Sequence, residues 1–330
     1  MKTSQCYKTL NLRTNMSDNI LIIGGNGYVG SRLCQELIGN IVSVDLNIFT
    51  IGNNPVNNIK VDYNELDQNF IKQFDHIILL AGHSSVRMCD LHPASVFNNN
   101  VRNFVNLLNK VSPNQTLIYA SSGSVYGNCK LDSADETTEL DSPYNMYDLT
   151  KQMIDEYYLT SKHQGRVFGL RLGTINGYSP VLRDDVMMNA MCSTAWREGQ
   201  VLLFNPNTKR SIIGTNDLVR GIKSIMSSPN STGGIYNMCS FTKTSGEMAK
   251  IVSQKINCPL NVVDPEQYNT QKINEKLVSS KYNFSLSSDK FSRDFFFEFK
   301  ETPESIVDGL IENKDKMVLT NRNAAYNYNG

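Results

Sequence analysis

The chain has 330 residues, with 32 Lys+Arg against 32 Asp+Glu and a formal net charge of zero. That length suggests about two domains with a sizeable core, and the balanced charge lacks the basic footprint of a nucleic-acid binder. No apolar run is long enough to span a bilayer, and the N-terminal stretch MKTSQCYKTLNLRTN lacks the apolar centre of a signal peptide, so a soluble, cytoplasmic protein is expected.

In chain order, NILIIGG (19–25) is a short apolar run closing on glycines and reads as a buried strand. YVGSRLCQELIG follows, with Val29, Leu33 and Leu37 at helical spacing and Gly39 as a stop. IVSVD (41–45), NIKVDY (58–63) and HIILLAG (76–82) are three more buried strands. PASVFNNNVRNFVNLLNKV (93–111) opens with Pro and is periodic, which predicts a helix. TLIYASS (116–122) is the fifth strand, PYNMYDLTKQMIDEYYLTSKHQ (143–164) a helix with Pro near its start, and VFGLRLG (167–173) the sixth strand. Strands that are apolar throughout and alternate with helices indicate an α/β fold with a parallel sheet covered on both faces. Beyond residue 174 the pattern loosens, as in a smaller α/β domain over the mouth of the sheet. The expected division is a flexible extension over 1–15, a dinucleotide-binding domain over 16–173 and a substrate domain over 174–330, with a soft boundary that the chain can cross more than once. Met16 is an alternative start, and a chain beginning there is expected to fold and work unchanged.

The seven cysteines are scattered, without CxxC spacing, and the four histidines form no ligand pattern, so neither disulfides nor a metal site is expected.

Gly24, Gly27 and Gly30 form G-x-x-G-x-x-G at the first strand-to-helix junction. Glycines there permit a tight turn and let the backbone approach a pyrophosphate, and the helix start at Tyr28 and Val29 offers N–H groups and a positive dipole end to the anion. An isolated triplet can be an ordinary βα turn. The preceding strand and following helix supply the context that a Rossmann-type doubly wound sheet requires. Asp45 ends the second strand, 21 residues after Gly24. A carboxylate there accepts the adenosine ribose hydroxyls and repels a 2′-phosphate, so NAD is the expected cofactor. Asp62 ends the third strand and is either a contact near the adenine or a turn residue.

Tyr147 and Lys151 are four apart and share a helix face. A phenol titrates near pH ~10, too high for a base at neutral pH. A neighbouring ammonium and a positive nicotinamide ring favour the phenolate, giving an acid/base suited to an alcohol that loses hydride. Tyr144 has Asp148 at the equivalent spacing, where a carboxylate would act in the wrong direction. A solvated Tyr–Lys pair is the bland alternative for such a motif on its own.

The blocks GGNGYVG, LLAGHSSV, NNNV, YASSGSVYG, SPYNMYDLTK and LRLGTINGYSP, followed by FEFKETPESIVDGLIE, occur in this order and cover nearly the whole chain after Met16. In them the sequence resembles the NAD-dependent sugar-nucleotide epimerase/dehydratase family of the extended short-chain dehydrogenase/reductases. The resemblance implies that Ser122, 25 residues before Tyr147, hydrogen-bonds the reacting oxygen, and that Lys151 also binds the nicotinamide ribose. It implies that Ala81 and Gly82 let the cofactor pass over the fourth strand and that Asn99 holds the family's helix-borne position. It places Asn189 and Arg210 at the nucleotide diphosphate, Arg210 opening a stretch that ends in Asp217, and it suggests a homodimer through the tyrosine helix and its neighbour. The family often has Asn where this chain has Thr174. His83 reads as a loop residue or a substrate contact.

Family dehydratases resemble one another in an Asp-Glu pair where this chain has Gly123 and Ser124, decarboxylases keep Glu at the second position, and C3/C5 epimerases place Cys there. The resemblance therefore implies chemistry confined to C4 of a nucleotide-linked sugar: epimerisation through a 4-keto intermediate, with 4-ketoreduction as the alternative. A hydroxysteroid- or aldehyde-type reductase and a dinucleotide-sensing protein on the same fold are the remaining readings. The latter has no need of Ser122, Tyr147 and Lys151 together.

Overall fold

The computed structural model describes residues 17–48, 56–128, 132–263 and 283–319. The expectations for the 1–15 extension and for a start at Met16 lie outside these residues. The strands in chain order are Asn19–Ile23 (β1), Asn40–Val44 (β2), Asn57–Ile59 (β3), His76–Leu79 (β4), Thr116–Ser122 (β5), Arg166–Leu172 (β6), Thr174–Asn176 (β7), Val181–Leu182 (β8), Val201–Leu203 (β9), Lys209–Gly214 (β10), Gly234–Met238 (β11), Phe241–Thr244 (β12), Leu260–Val262 (β13) and Val318–Leu319 (β14).

Seven of them form one sheet in the order β11-β6-β5-β4-β1-β2-β3, and every pairing in it is parallel. Side chains alternate across a strand, so β1 sends Leu21 and Ile23 to one core layer and Ile20 and Ile22 to the other. The first layer is closed by Phe70, Phe104, Leu107 and Ile154. The second is closed by Leu33, by Leu218, Ile222 and Ile225 of the helix Thr215–Met226, and by Phe291 and Phe295 of the helix Asp289–Phe295. A separate core of Met188, Cys192, Val201, Met248, Val252, Ile306 and Leu310 lies among the helices Met187–Glu198, Ser245–Ile256 and Pro303–Glu312.

The six predicted strands all form, although β3 ends at Ile59, where Asp62 caps a single 3₁₀ turn. The seventh, β11, comes from beyond residue 174 and pairs with β6, so the chain returns to the sheet after leaving it. The helix predicted over 93–111 is interrupted by a π turn at Phe97–Arg102. The one predicted over 143–164 starts at Met146, because Asn145 is extended and its side chain accepts the Asp148 N–H. Pro143 and Tyr144 therefore precede the helix rather than open it. Sequence periodicity missed two short helices, Gln68–Ile71 and Val86–Leu91, which are capped by Asp67 and Ser85. No helix among the described residues is long and apolar enough to cross a membrane.

A buried carboxylate clasp joins the segment before the helix Pro303–Glu312 to the start of the helix Thr215–Met226. Glu301 accepts from Asp217 N at 2.9 Å and from Asn216 Nδ2 at 3.1 Å at the start of the helix Thr215–Met226. Asp217 Oδ2 in turn accepts from Glu301 N, Lys300 N and Ser240 Oγ. Burial, opposed by these N–H donors, pushes the Glu301 carboxyl from 4.5 up to about 7. The folded state thus binds this proton more tightly than the unfolded chain, and the stability it contributes is complete below pH 4.5 and lost as pH rises through about 7. Glu301→Gln should make the fall of stability across that window shallower by about 3 kcal/mol, on about 1.4 kcal/mol per pH unit. Chemical denaturation of both proteins at pH 5 and pH 8 measures this, and parallel pH profiles would contradict it.

Candidate active site

The glycine turn requires two of its glycines. Gly24 has φ +91°, and a Cβ on it would lie 2.6 Å from Ala81 N, while one on Gly30 would lie 2.1 Å from Gly24 O. Gly27 is the N-cap of the helix Tyr28–Glu36 without a side-chain cap, so the N–H groups of Tyr28 and Val29 lack intrahelical acceptors. A Cβ at Gly27 would meet only Gly24 O, at 3.4 Å. Asp45 follows β2, where its carboxylate accepts Asn26 N at 2.9 Å and Asn47 N at 2.8 Å. Burial holds that carboxyl above its ordinary range, and the two N–H groups oppose the shift. Donors of an uncapped helix start beside a strand-end carboxylate suit a pyrophosphate and a ribose diol. Ala81, just past β4, donates its N–H to Ile23 O. Asp62 has a local task, accepting Asn64 N at 2.8 Å.

The tyrosine helix, Met146–Thr160, carries the second part of the site. Tyr147 is half-buried, and Ser122 at the end of β5 is near enough to favour its phenolate. Lys151 Nζ lies 5.7 Å from the Tyr147 ring centroid and donates to Ala120 O at 2.6 Å. Burial lowers the Lys151 ammonium to about 8, opposed by Asp155. Burial also pushes the Tyr147 phenol up to about 12, with Ser122 and Arg183 opposing. The structure thus brings Ser122, Tyr147 and Lys151 together, but desolvation outweighs the depression of the phenol that the pairing predicts. Tyr144 lies outside the helix, so its spacing to Asp148 is not a helical one. It is half exposed, and its hydroxyl donates to Asp141 at 2.7 Å.

Asp148 is the residue that sequence spacing misplaced. It is only 6% exposed and accepts from Ser124 Oγ at 2.5 Å and Asn145 Nδ2 at 2.7 Å. Ser124 Oγ is also 2.8 Å from Ser122 Oγ. A Cβ on Gly123 would lie 2.6 Å from Leu286 Cδ1 and 3.2 Å from Leu172 O, so a side chain there requires Leu286 to move.

Asn100, the neighbour of the singled-out Asn99, holds the loop after β4. Its amide accepts His83 N at 2.9 Å and donates to His83 O at 3.1 Å and to Thr150 Oγ1 at 3.3 Å. A Cβ on Gly82 would lie 3.0 Å from its oxygen. Asn99 Nδ2 lies 3.3 Å from His83 Nδ1, and Ser95 Oγ lies 3.0 Å from His83 Nε2. His83 is buried and neutral, its imidazolium disfavoured by burial to about 4. The cue for Asn100 was faint: a polar residue on the sheet-facing side of an amphipathic helix needs an internal partner.

Asn189 is fully buried. It accepts Gly177 N at 2.9 Å and donates to the Tyr28 hydroxyl and Arg183 O, each at 3.0 Å. It therefore ties the glycine-turn helix to the segment after β7. Arg210, in β10, is buried over the Phe284 ring at 5.1 Å, and burial lowers its guanidinium to about 10, opposed by the charge of Asp148.

The sequence profile of the NAD dependent epimerase/dehydratase family matches residues 20–239. Protein CapI of Staphylococcus aureus is 27% identical over 64% of this chain and 70% of its own length. UDP-glucuronate 4-epimerase 4 of Arabidopsis thaliana is 36% identical over 31% of this chain, a match spanning 23% of that protein. The solved structure of MoeE5 in complex with UDP-glucuronic acid and NAD superposes with a TM-score of 0.77 at 18% identity, covering 90% of this chain and 99% of that one.

Asp45 beside the glycine turn predicts tighter binding of NAD(H) than of NADP(H), and Asp45→Asn should narrow the difference about tenfold, the loss of one charge-assisted hydrogen bond. Fluorescence titration of both proteins with both cofactors tests this, and a preference of the unaltered protein for NADP(H) would overturn it.

Proposed function

The chain belongs to the NAD dependent epimerase/dehydratase family, and from that premise we propose that it is a cytoplasmic C4 epimerase of a UDP-linked hexose or hexuronate. Bound NAD supplies the hydride acceptor and donor, and a positive ring beside the phenol. Tyr147 takes the proton of the C4 hydroxyl and returns it. A positive charge nearby favours the phenolate and counters the burial that holds the phenol up at about 12. Lys151, anchored on Ala120 O, contributes a second positive charge and reaches the nicotinamide ribose. The uncapped N–H groups at Tyr28 and Val29 hold the pyrophosphate of the cofactor, and Asp45 its adenosine ribose. Arg210 meets the diphosphate of the sugar nucleotide, to which a buried guanidinium fork is suited. Asn189 supports that site by fixing Tyr28 and Arg183.

The observation that carries the restriction to C4 is the pair of residues that follow Ser122. Leu286 covers Gly123, and the Ser124 hydroxyl is directed at Asp148. No carboxyl group at 123 or 124 stands ready to remove a carbon-bound proton or expel water, as elimination requires. The UDP-sugar class is supported by the similarity to UDP-glucuronate 4-epimerase 4 of Arabidopsis thaliana and to MoeE5, whose structure holds UDP-glucuronic acid. A homodimer through the tyrosine helix and the helices before it would cover Leu91, Phe97 and Leu159, whose apolar side chains are exposed.

Incubation with UDP-glucuronate, UDP-glucose and their N-acetylated amino-sugar counterparts, with NAD below stoichiometry, should yield a C4 epimer without net change in cofactor. Tyr147→Phe should lower turnover at least about 10³-fold while NAD binding stays within about twofold. Tyr144→Phe should retain most activity. Stoichiometric consumption of reduced cofactor with a 4-keto sugar would make the protein a reductase, and release of a 4-keto-6-deoxy product would exclude chemistry confined to C4.

A further inference from the structure

We propose that Asp148 is a positioning residue for Ser122: acting through Ser124, it decides whether Ser122 turns a proton or a lone pair toward the reacting oxygen. The proposal rests on the C4-epimerase reading and on Ser122 being the group that meets the C4 oxygen. Ser122 ends β5, on the sheet edge that also delivers Gly24, Asp45 and Ala81.

Hydrogen bonds join the three side chains directly. Ser124 Oγ donates to Asp148 Oδ1 at 2.5 Å. Ser122 Oγ lies 2.8 Å from Ser124 Oγ and accepts Ser124 N at 3.2 Å. The second carboxyl oxygen, Oδ2, accepts from Asn145 Nδ2 at 2.7 Å. That amide cannot turn round, because its own oxygen accepts the Asp148 N–H at 2.9 Å as the cap of the tyrosine helix. Oδ2 therefore always faces a donor, whereas Oδ1 faces a hydroxyl that can turn to accept. A proton taken up by Asp148 belongs on Oδ1, against Ser124.

The proton count then allows two arrangements. A hydroxyl has one proton and two lone pairs. While Asp148 is ionised, the Ser124 proton is held on the carboxylate, so Ser122 must donate to Ser124. Ser122 Oγ accepts Ser124 N and keeps one lone pair for the site. When Asp148 is neutral, its Oδ1 donates to Ser124, and Ser124 donates to Ser122. Both Ser122 lone pairs are then filled, by Ser124 N and the Ser124 hydroxyl, and its proton is turned to the site. The change breaks no bond among these residues beyond the carboxyl O–H, which exchanges one proton with solvent while two hydroxyls rotate.

The reaction needs the second arrangement. As the C4 hydroxyl loses its proton to Tyr147 and its carbon loses hydride, the C4 oxygen becomes a carbonyl, which can only accept. A donor aimed at it stabilises the ketone as it forms and polarises it for the return of hydride. In the first arrangement two lone pairs would face each other. Neutral Asp148 is thus the productive form, and activity is lost as pH rises through its titration. Burial raises the Asp148 carboxyl above its ordinary range, with the Ser124 and Asn145 hydrogen bonds opposing. Of the charged and titratable groups around it, Asp90 and Cys89 come from the helix Val86–Leu91, Tyr147 from its own helix and Arg210 from β10; Asp90 disfavours the carboxylate and Arg210 favours it.

Carbon NMR of the intact protein, labelled at the aspartate carboxyls, locates the Asp148 titration, and Asp148→Asn assigns the signal. With whichever of UDP-glucuronate, UDP-glucose and their N-acetylated amino-sugar counterparts is epimerised fastest, kcat of the unaltered protein should fall through that titration to a level about 10²-fold lower, the loss of one donor to the reacting oxygen. Asp148→Asn fixes the donor arrangement, since its amide oxygen suits Asn145 and its Nδ2 can only donate to Ser124. It should escape this fall and exceed the unaltered protein about 10²-fold in kcat on the alkaline side. Ser124→Ala cuts the connection and should also remove the fall at the Asp148 titration. A fall shared by all three proteins belongs to another group, such as Lys151 or Tyr147. The proposal is overturned if the unaltered protein shows no fall at the Asp148 titration, if either variant keeps it, or if Asp148→Asn is slower than the unaltered protein at every pH. If the unaltered protein epimerises none of these sugars, it is the C4-epimerase reading beneath the proposal that fails.

Discussion

The site depends on a buried ion pair that takes no part in its chemistry. Asp155 is fully buried on the tyrosine helix and accepts from Arg171 Nε at 2.8 Å, Ser121 Oγ at 3.0 Å and the Tyr119 hydroxyl at 3.1 Å. Arg171 donates to the Tyr126 hydroxyl, which donates to Asn237 in β11. One carboxylate therefore locks the helix to β5 and β6, and through Tyr126 to the seventh strand. Removing one partner of such a pair leaves a buried, uncompensated charge, which typically costs about 3–5 kcal/mol. Asp155 lies four residues after Lys151 and seven after Asp148, so these share one face of the helix. Fixing Asp155 against the sheet fixes the rotation that turns Lys151 toward Ala120 and Asp148 toward Ser124.

The same sheet edge organises the cofactor turn. β1, β2, β4 and β5 are parallel and deliver Gly24, Asp45, Ala81 and Ser122 past their C-terminal ends, where ligands of open α/β sheets bind. The backbone of Gly24 packs against Ala81 too closely for any side chain. Ala81 leads into the loop that Asn100 clamps to Thr150, one residue before Lys151. Glycine turn, loop and tyrosine helix are thus linked by direct contacts, and a shift in one displaces the others.

Much of this was legible in the sequence because it is local. Apolar runs, glycines at a strand-to-helix junction, and a tyrosine and lysine one turn apart each depend on a few neighbouring residues. What escaped depends on pairs distant in sequence. β11 pairs with β6 across more than sixty residues, and nothing in GIYNM announces its partner. Asp148 was assigned to Tyr144 by counting along a helix that in fact begins after Tyr144, because Asn145 caps it. Its true partner, Ser124, is 24 residues away. A usable signal existed in Arg171 and Asp155. A charge inside VFGLRLG, on a strand buried on both faces, demands an opposite charge, and Asp155 is an acid at the buried spacing of the tyrosine helix.

The two buried arginines show how this protein separates structural from reactive charge. Both lose solvation, yet Arg171 titrates above its ordinary value and Arg210 below, at about 10. The difference lies in the partner. Arg171 holds the Asp155 carboxylate in a direct hydrogen bond, and for the guanidinium the attraction of Asp155 and Tyr126 exceeds the cost of burial, whereas burial still raises the Asp155 carboxyl. Arg210 lies over an aromatic ring, and there burial outweighs the attraction of Asp148. Lys151, lowered to about 8, and Tyr147, raised to about 12, are displaced in the same sense as Arg210, each toward its neutral form. Behind the site, charge is compensated within the protein and holds the helix in place. In front, burial has raised the cost of every charged form, so an anion at Arg210 or a cation beside Tyr147 meets a group whose charged state it would stabilise more strongly than it could in water. That difference in electrostatic state across a single helix turn is what allows the fold to be rigid and its edge to remain responsive to ligands.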